Sequence, residues 1–218
     1  MRFLFIPLLF LPLTAQAQSC NGPCQGRAAE PHFLKAGLAE RRDNRLILTT
    51  GSGTRVFTDN RKACDSGAAG CAVYVLAARA PNSLVVRKFE SEGSDCYLID
   101  ARSGKSTLLT GVPVFSPDGQ EFLVTEFSND SDNNLEMWRR AGDGARLEWA
   151  HPFRLAYAED PQLREMYEAR VVSWSGDRIA LALTGSDGKQ HWAGSLTRDA
   201  GGWHLAAKSP PALLPRRE

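Results

Sequence analysis

From residue 45 onward the apolar positions fall in short runs of about five to eight residues, bounded mostly by Gly, Asp, Asn, Ser or Pro. Runs of that length between turn-forming residues predict antiparallel strands. RLILTT and TRVFTD flank GSG at 51–53, VYVLAA and LVVRKF flank RAPNS at 79–83, and CYLID and STLLT flank ARSGK at 101–105. VPVF, EFLVTEF, NLEMWRR, RLEWA, RVVSW, RIALAL, QHWAGSL and GWHLAA continue the series to residue 207. The turns between them supply the backbone geometries that Gly, Asn, Asp and Pro adopt at low cost.

Three stretches stand outside the pattern. In 151–168, Asp160 is a good N-cap, Pro161 suits the first helical position, and Leu163, Met166 and Tyr167 share one helical face, which predicts a short helix in an insertion between strands. Residues 18–44 read as an N-terminal linker with a short helix near Pro31, and 208–218 as a Pro-rich disordered tail.

The strands repeat. VPVFSPDGQEFLVTEF at 112–127 is strand, tight turn, strand; VVSWSGDRIALAL at 171–183 and YVLAARAPNSLVV at 74–86 are further copies. Two more strands joined by a Gly-containing turn follow each copy, giving three four-stranded units from near 72, 112 and 170, with two extra strands at 45–58. FSPDGQEFLV at 115–124, preceded by YLIDARSGKSTLL at 97–109, resembles the repeat of TolB-type, WD-repeat-like β-propellers over roughly residues 72–207. The resemblance implies propeller-like sheets and an interaction scaffold in the cell envelope, and it transfers no functional residue. Closed propellers usually have four to eight blades, so three units and a hairpin predict an incomplete ring; a β-sandwich or barrel is the alternative.

The N-terminus adds a destination. Arg2, an apolar run at 3–13 and the AQA of 15–17 read as a signal peptide cleaved after Ala17, which predicts a periplasmic or secreted protein. A degenerate lipoprotein box ending at Cys20 is the competing reading, with a membrane anchor as its consequence. Removing the leader takes one Arg from 26 basic residues against 25 acidic ones, so the mature formal charge is zero. No Lys/Arg run exceeds two, which argues against nucleic acid as a partner. An oxidising compartment favours disulfides among Cys20, Cys24, Cys64, Cys71 and Cys96. Cys64 and Cys71 enclose a flexible loop and are the expected pair, whose closure stabilises by roughly 2–3 kcal/mol; Cys96, among Tyr97, Leu98 and Ile99, reads as a buried thiol.

The chemical candidates are thin. SGKST at 103–107 ends like a phosphate-binding loop, but Ile99 occupies the place of the required first Gly and a strand pattern follows, so it reads as a hairpin turn that binds no nucleotide. Asp130, Asp132 and Asn134 alternate oxygen ligands as a calcium loop does, without the Gly and Glu of an EF-hand. His32, His151, His191 and His204 have no metal-ligand spacing; His191 and His204 read as partly buried sheet residues. No nucleophile-elbow motif is present. The expected role is therefore non-catalytic binding of a protein partner, without a cofactor. Phe153, Tyr157 and Tyr167 are the expected aromatic anchors, with Arg154 and Arg164 beside them. An inhibitor or immunity protein against a secreted toxin, and a hydrolase with a loop-borne site, are the alternatives.

Overall fold

A computed structural model describes residues 27–66, 69–91, 93–125, 133–152, 166–185, 189 and 191–207. The protein is all-β, with four separate antiparallel sheets laid down in chain order. The first is three-stranded: β1 (Ala39–Arg42), β2 (Arg45–Thr50) and β3 (Gly53–Thr58). The second holds β4 (Val73–Ala80), β5 (Ser83–Phe89), β6 (Ser94–Asp100) and β7 (Ser106–Leu109). The third holds β8 (Pro113–Phe115), β9 (Glu121–Val124), β10 (Asn133–Ala141) and β11 (Gly144–Pro152). The fourth holds β12 (Met166–Ser175), β13 (Arg178–Gly185), β14 (His191–Asp199) and β15 (Gly202–Ala207). Each sheet is a meander in which every strand pairs with its neighbour in sequence. The three repeated strand–turn–strand segments are the first hairpins of the three four-stranded sheets.

The sheets pack face to face in the same order. Leu46 and Leu48 of the first sheet cluster with Leu76, Leu84, Val86 and Ile99 of the second. Val85, Cys96 and Leu98, from the other face of the second sheet, cluster with Phe122 and Val124 of the third. Leu123 and Met137, from the third sheet's remaining face, cluster with Ile179, Leu181, Leu183 and Leu196 of the fourth. Period-two alternation sends neighbouring side chains into different layers. That explains a difference in texture along the sequence. Inner strands covered on both faces are continuously apolar, as in Leu84-Val85-Val86 and Phe122-Leu123-Val124. The outer sheets have one exposed face, and their strands alternate: β2 buries Leu46, Leu48 and Thr50 and β14 buries Trp192, Gly194 and Leu196.

Arginine–carboxylate contacts fasten the layers. Arg140 of β10 donates to Asp100, to Ser83 and to the Pro81 carbonyl of the second sheet. Arg198 of β14 reaches Glu121 of β9 at 2.5 Å. Arg41 of β1 donates to Glu30 and to the Tyr74 carbonyl of β4. Tight turns also nest between layers: Gly119, with φ +68°, lies against Pro81, so a Cβ there would stand 3.0 Å from Pro81 Cδ. Cys64 and Cys71 form the expected disulfide, which ties the short helix Arg61–Ser66 to the approach to β4. Cys96 is a buried thiol.

Several expectations need correction. Met166 and Tyr167 belong to β12, where Met166 pairs with Gly185, so the helical spacing there gives way to a long hairpin with β13. The insertion narrows to 153–165, because β11 extends to Pro152. Part of the expected linker is strand: β1 is charged at Glu40, Arg41 and Arg42, but its backbone pairs with Leu46–Leu48 and its Ala39 enters the core. His191 and His204 are exposed, because alternation gives the buried places to their neighbours Trp192 and Trp203.

Candidate functional site

A groove with the composition of a contact site lies where the third and fourth sheets meet. Arg139 comes from β10, Arg146, Leu147, Glu148 and Trp149 from β11, Arg198 from β14, and Gly201, Gly202 and Trp203 from the β14–β15 turn and β15. Its volume is about 420 Å³. β11 and β15, which flank it, are the edge strands of their sheets.

The polar side chains form a charge ladder across the junction. Arg146 donates to Glu148 at 3.3 Å, Arg139 donates to the same Glu148 oxygen at 2.6 Å, and Arg139 and Arg198 both reach Glu121 Oε1 at 2.5 Å. Arg198 ends the ladder on Asp177. Burial pushes the Glu148 carboxyl up, but the hydrogen bond and charge of Arg139 and the weaker pair with Arg146 outweigh it and hold Glu148 below the ordinary carboxylate range. The Glu148 hydrogen bond raises Arg139, and the Glu121 hydrogen bond raises Arg198, so both guanidiniums are fixed charges.

The aromatic walls rest on the core. Trp203 is 5% exposed and packs with Leu196 and Ile179, while Trp149 is half-buried against the same cluster. The Arg198 guanidinium lies 4.9 Å from the Trp203 ring centre, a cation–π contact that fixes both. Trp149 stacks with His151 at 6.1 Å. The groove can therefore hold charge and shape with little rearrangement. Among the described residues it brings together no three metal-ligating side chains.

Phe153, Arg154, Tyr157 and Arg164 lie outside the described residues, as do Asp130 and Asp132. Tyr167 stands in β12, and Asn134 in β10 rather than in a loop. The 101–105 segment is a hairpin turn: the Gly104 amide donates to the Asp100 carbonyl, and Lys105 pairs with Asp143 at 2.7 Å. Strand β7 follows it where a phosphate-binding loop would need a helix.

Sequence reasoning missed the groove because its residues come from four strands of two sheets. The local signals were Trp149, inside a strand run, and Trp203, directly after Gly201-Gly202. No family model, curated protein or solved structure matches this chain. Among the described residues no helix is long and apolar enough to cross a membrane.

Proposed function

We propose that this chain is a non-catalytic binding module that is exported to the cell envelope and there holds a protein partner in the groove between its third and fourth sheets. The observation that carries this reading is the convergence of Arg139, Arg146, Arg198, Trp149 and Trp203 in one groove. Trp and Arg lead the residues that dominate protein–protein binding energy, since each combines a large contact area with directional donors. The ion pairs beneath them hold the side chains in place before contact, which lowers the ordering cost of association. Two features of the sequence support the setting: the apolar leader ending in AQA at 15–17, and the TolB-type resemblance of FSPDGQEFLV at 115–124. The Cys64–Cys71 bridge suits an oxidising compartment.

A photo-crosslinking amino acid at Leu147, in the groove, tests the reading against the same label at Val172 on β12. The expected result in cells is a discrete protein adduct from position 147, absent from position 172 and lost on Arg146→Ala. No adduct at 147, or the same adducts from both positions, would overturn it.

A further inference from the structure

The groove carries more than a generic contact composition. Its lining has three guanidiniums and one carboxylate, Glu148. Glu121 lies behind them and is buried, with both Arg139 and Arg198 on its Oε1, and Arg198 also pairs with the exposed Asp177, so the three guanidiniums meet three carboxylates. Donors remain. Arg146 has a 71% exposed side chain tied to Glu148 through Nη2 at 3.3 Å, and its Nε and Nη1 have no partner among the described residues. The Nη1 of Arg139 likewise has none. A guanidinium with free N–H groups beside a second one is a ready bidentate receptor for carboxylate.

Two further observations select the kind of molecule. The groove runs between two sheet edges, β11 and β15, and an edge strand presents main-chain donors and acceptors to an added peptide backbone. The indoles, in contrast, are poor stacking platforms: Trp203 is buried with Arg198 over its ring, and Trp149 packs against the core cluster with His151 beside it. A sugar ring would need such a platform, whereas an extended peptide needs the edge and the charges.

We propose that the groove takes an extended acidic peptide segment of the partner, with its carboxylates on Arg146 and Arg139 and its backbone along the β11 and β15 edges. This rests on the groove being the contact surface. The partner carboxylates take the N–H groups of Arg146 and Arg139 that the ladder's own three carboxylates, Glu148, Glu121 and Asp177, leave unpaired. Charge pairing at this exposed end speeds association and is weakened by salt.

Isothermal titration of the full chain with hexaglutamate, hexalysine and an oligogalacturonate tests it. Saturable binding of hexaglutamate is expected, weakened by raising salt from about 50 to 300 mM. Binding should weaken about tenfold on Arg146→Glu, with the melting temperature unchanged because Arg146 is exposed. No binding of hexaglutamate, equal binding of hexalysine, tighter binding of the oligogalacturonate, or indifference to Arg146→Glu would each overturn the acidic-peptide assignment. If these fail while Leu147 still crosslinks a protein specifically, the assignment falls and the binding function stands; if crosslinking at Leu147 fails too, both fall.

Discussion

Oε1 of Glu30 accepts the backbone N–H of Leu76 at 2.9 Å, across 46 residues of sequence. Leu76 lies in β4, one of the two edge strands of the second sheet. Asp59 does the same for the Tyr74 amide at 2.9 Å, and Arg41 donates to the Tyr74 carbonyl at 2.6 Å. Three side chains thus occupy the main-chain groups that an adjoining strand would use. The edge is closed against association with another chain, and the first sheet is fixed to the second by the same contacts. Glu30 and Asp59 are both buried, and Arg27, Arg41 and Arg61 neutralise them.

Removing this carboxylate should therefore be costly. Glu30→Ala leaves the Leu76 amide unsatisfied and Arg41 short of a partner, a loss of about 2–4 kcal/mol. Thermal unfolding should shift down by roughly 5–15 °C. The double variant with Arg41→Ala should lose less than the sum of the two single variants. A drop under about 2 °C for Glu30→Ala would show that the edge does not depend on it.

The nested turns can be weighed by comparing two glycines. Gly119 and Gly142 both have positive φ, +68° and +59°, but only Gly119 has a neighbour in the way, Pro81. Alanine at either position bears the left-handed strain of about 1 kcal/mol. Gly119→Ala should cost about 1 kcal/mol more, because the proline ring cannot swing aside. Chemical denaturation of both variants measures the difference, and equal losses would remove Pro81 from the account.

Acid should unfold the protein through its paired carboxylates. Burial pushes Asp100 up, but the Ser103 and Arg102 amides, the Ser103 hydroxyl and the Arg140 guanidinium together hold it below its ordinary value. Glu148 is held low by its arginines in the same way. The unfolded chain takes up protons at these sites near pH 4, above where the folded protein does. Stability is therefore full above the unfolded value and falls as pH drops through the folded one. Melting temperature should decline on acidification below about pH 4.5, and Asp100→Asn should make the decline shallower. An unchanged slope would mean that other groups govern the acid limb.

Alkali should expose one slow-titrating phenol. Burial and the hydrogen bond that its hydroxyl donates to Asp95 at 2.8 Å push Tyr97 up to about 12. The folded state keeps this proton above pH 10 while the unfolded chain loses it, so stability falls as pH rises toward 12. Ultraviolet titration should resolve a late phenolate step that Tyr97→Phe abolishes. A completed titration near pH 10 would show that partial burial and the Asp95 hydrogen bond do not hold this proton.

The strands were legible because their side chains obey local rules. Continuous runs such as Leu84-Val85-Val86 and alternating ones such as Arg45 to Thr50 both read as strand, and the difference between them encodes inner and outer layers. β1 was not legible, since Glu40-Arg41-Arg42 forms a strand only by pairing with the hydrophobic β2 and by the contacts of Arg41. The helical spacing of Leu163, Met166 and Tyr167 misled at its end because pairing with β13 outweighs a local preference in Met166 and Tyr167. The groove was invisible for a different reason. Arg139 and Arg198 meet on Glu121, and nothing in the spacing of positions 121, 139 and 198 announces a shared oxygen.

Because every strand pairs with its neighbour in sequence, the contacts inside each sheet are local, and each sheet finds its packing partner in the sheet before it. Chains with such local contacts fold quickly, since little loop entropy is spent before each contact forms. A chain emerging amino-terminus first can lay every new meander on one already in place. The fourth meander supplies Arg198 and Trp203, the second wall of the groove. The groove therefore comes into existence only with the final strands, and a polypeptide interrupted before residue 198 would lack its second wall.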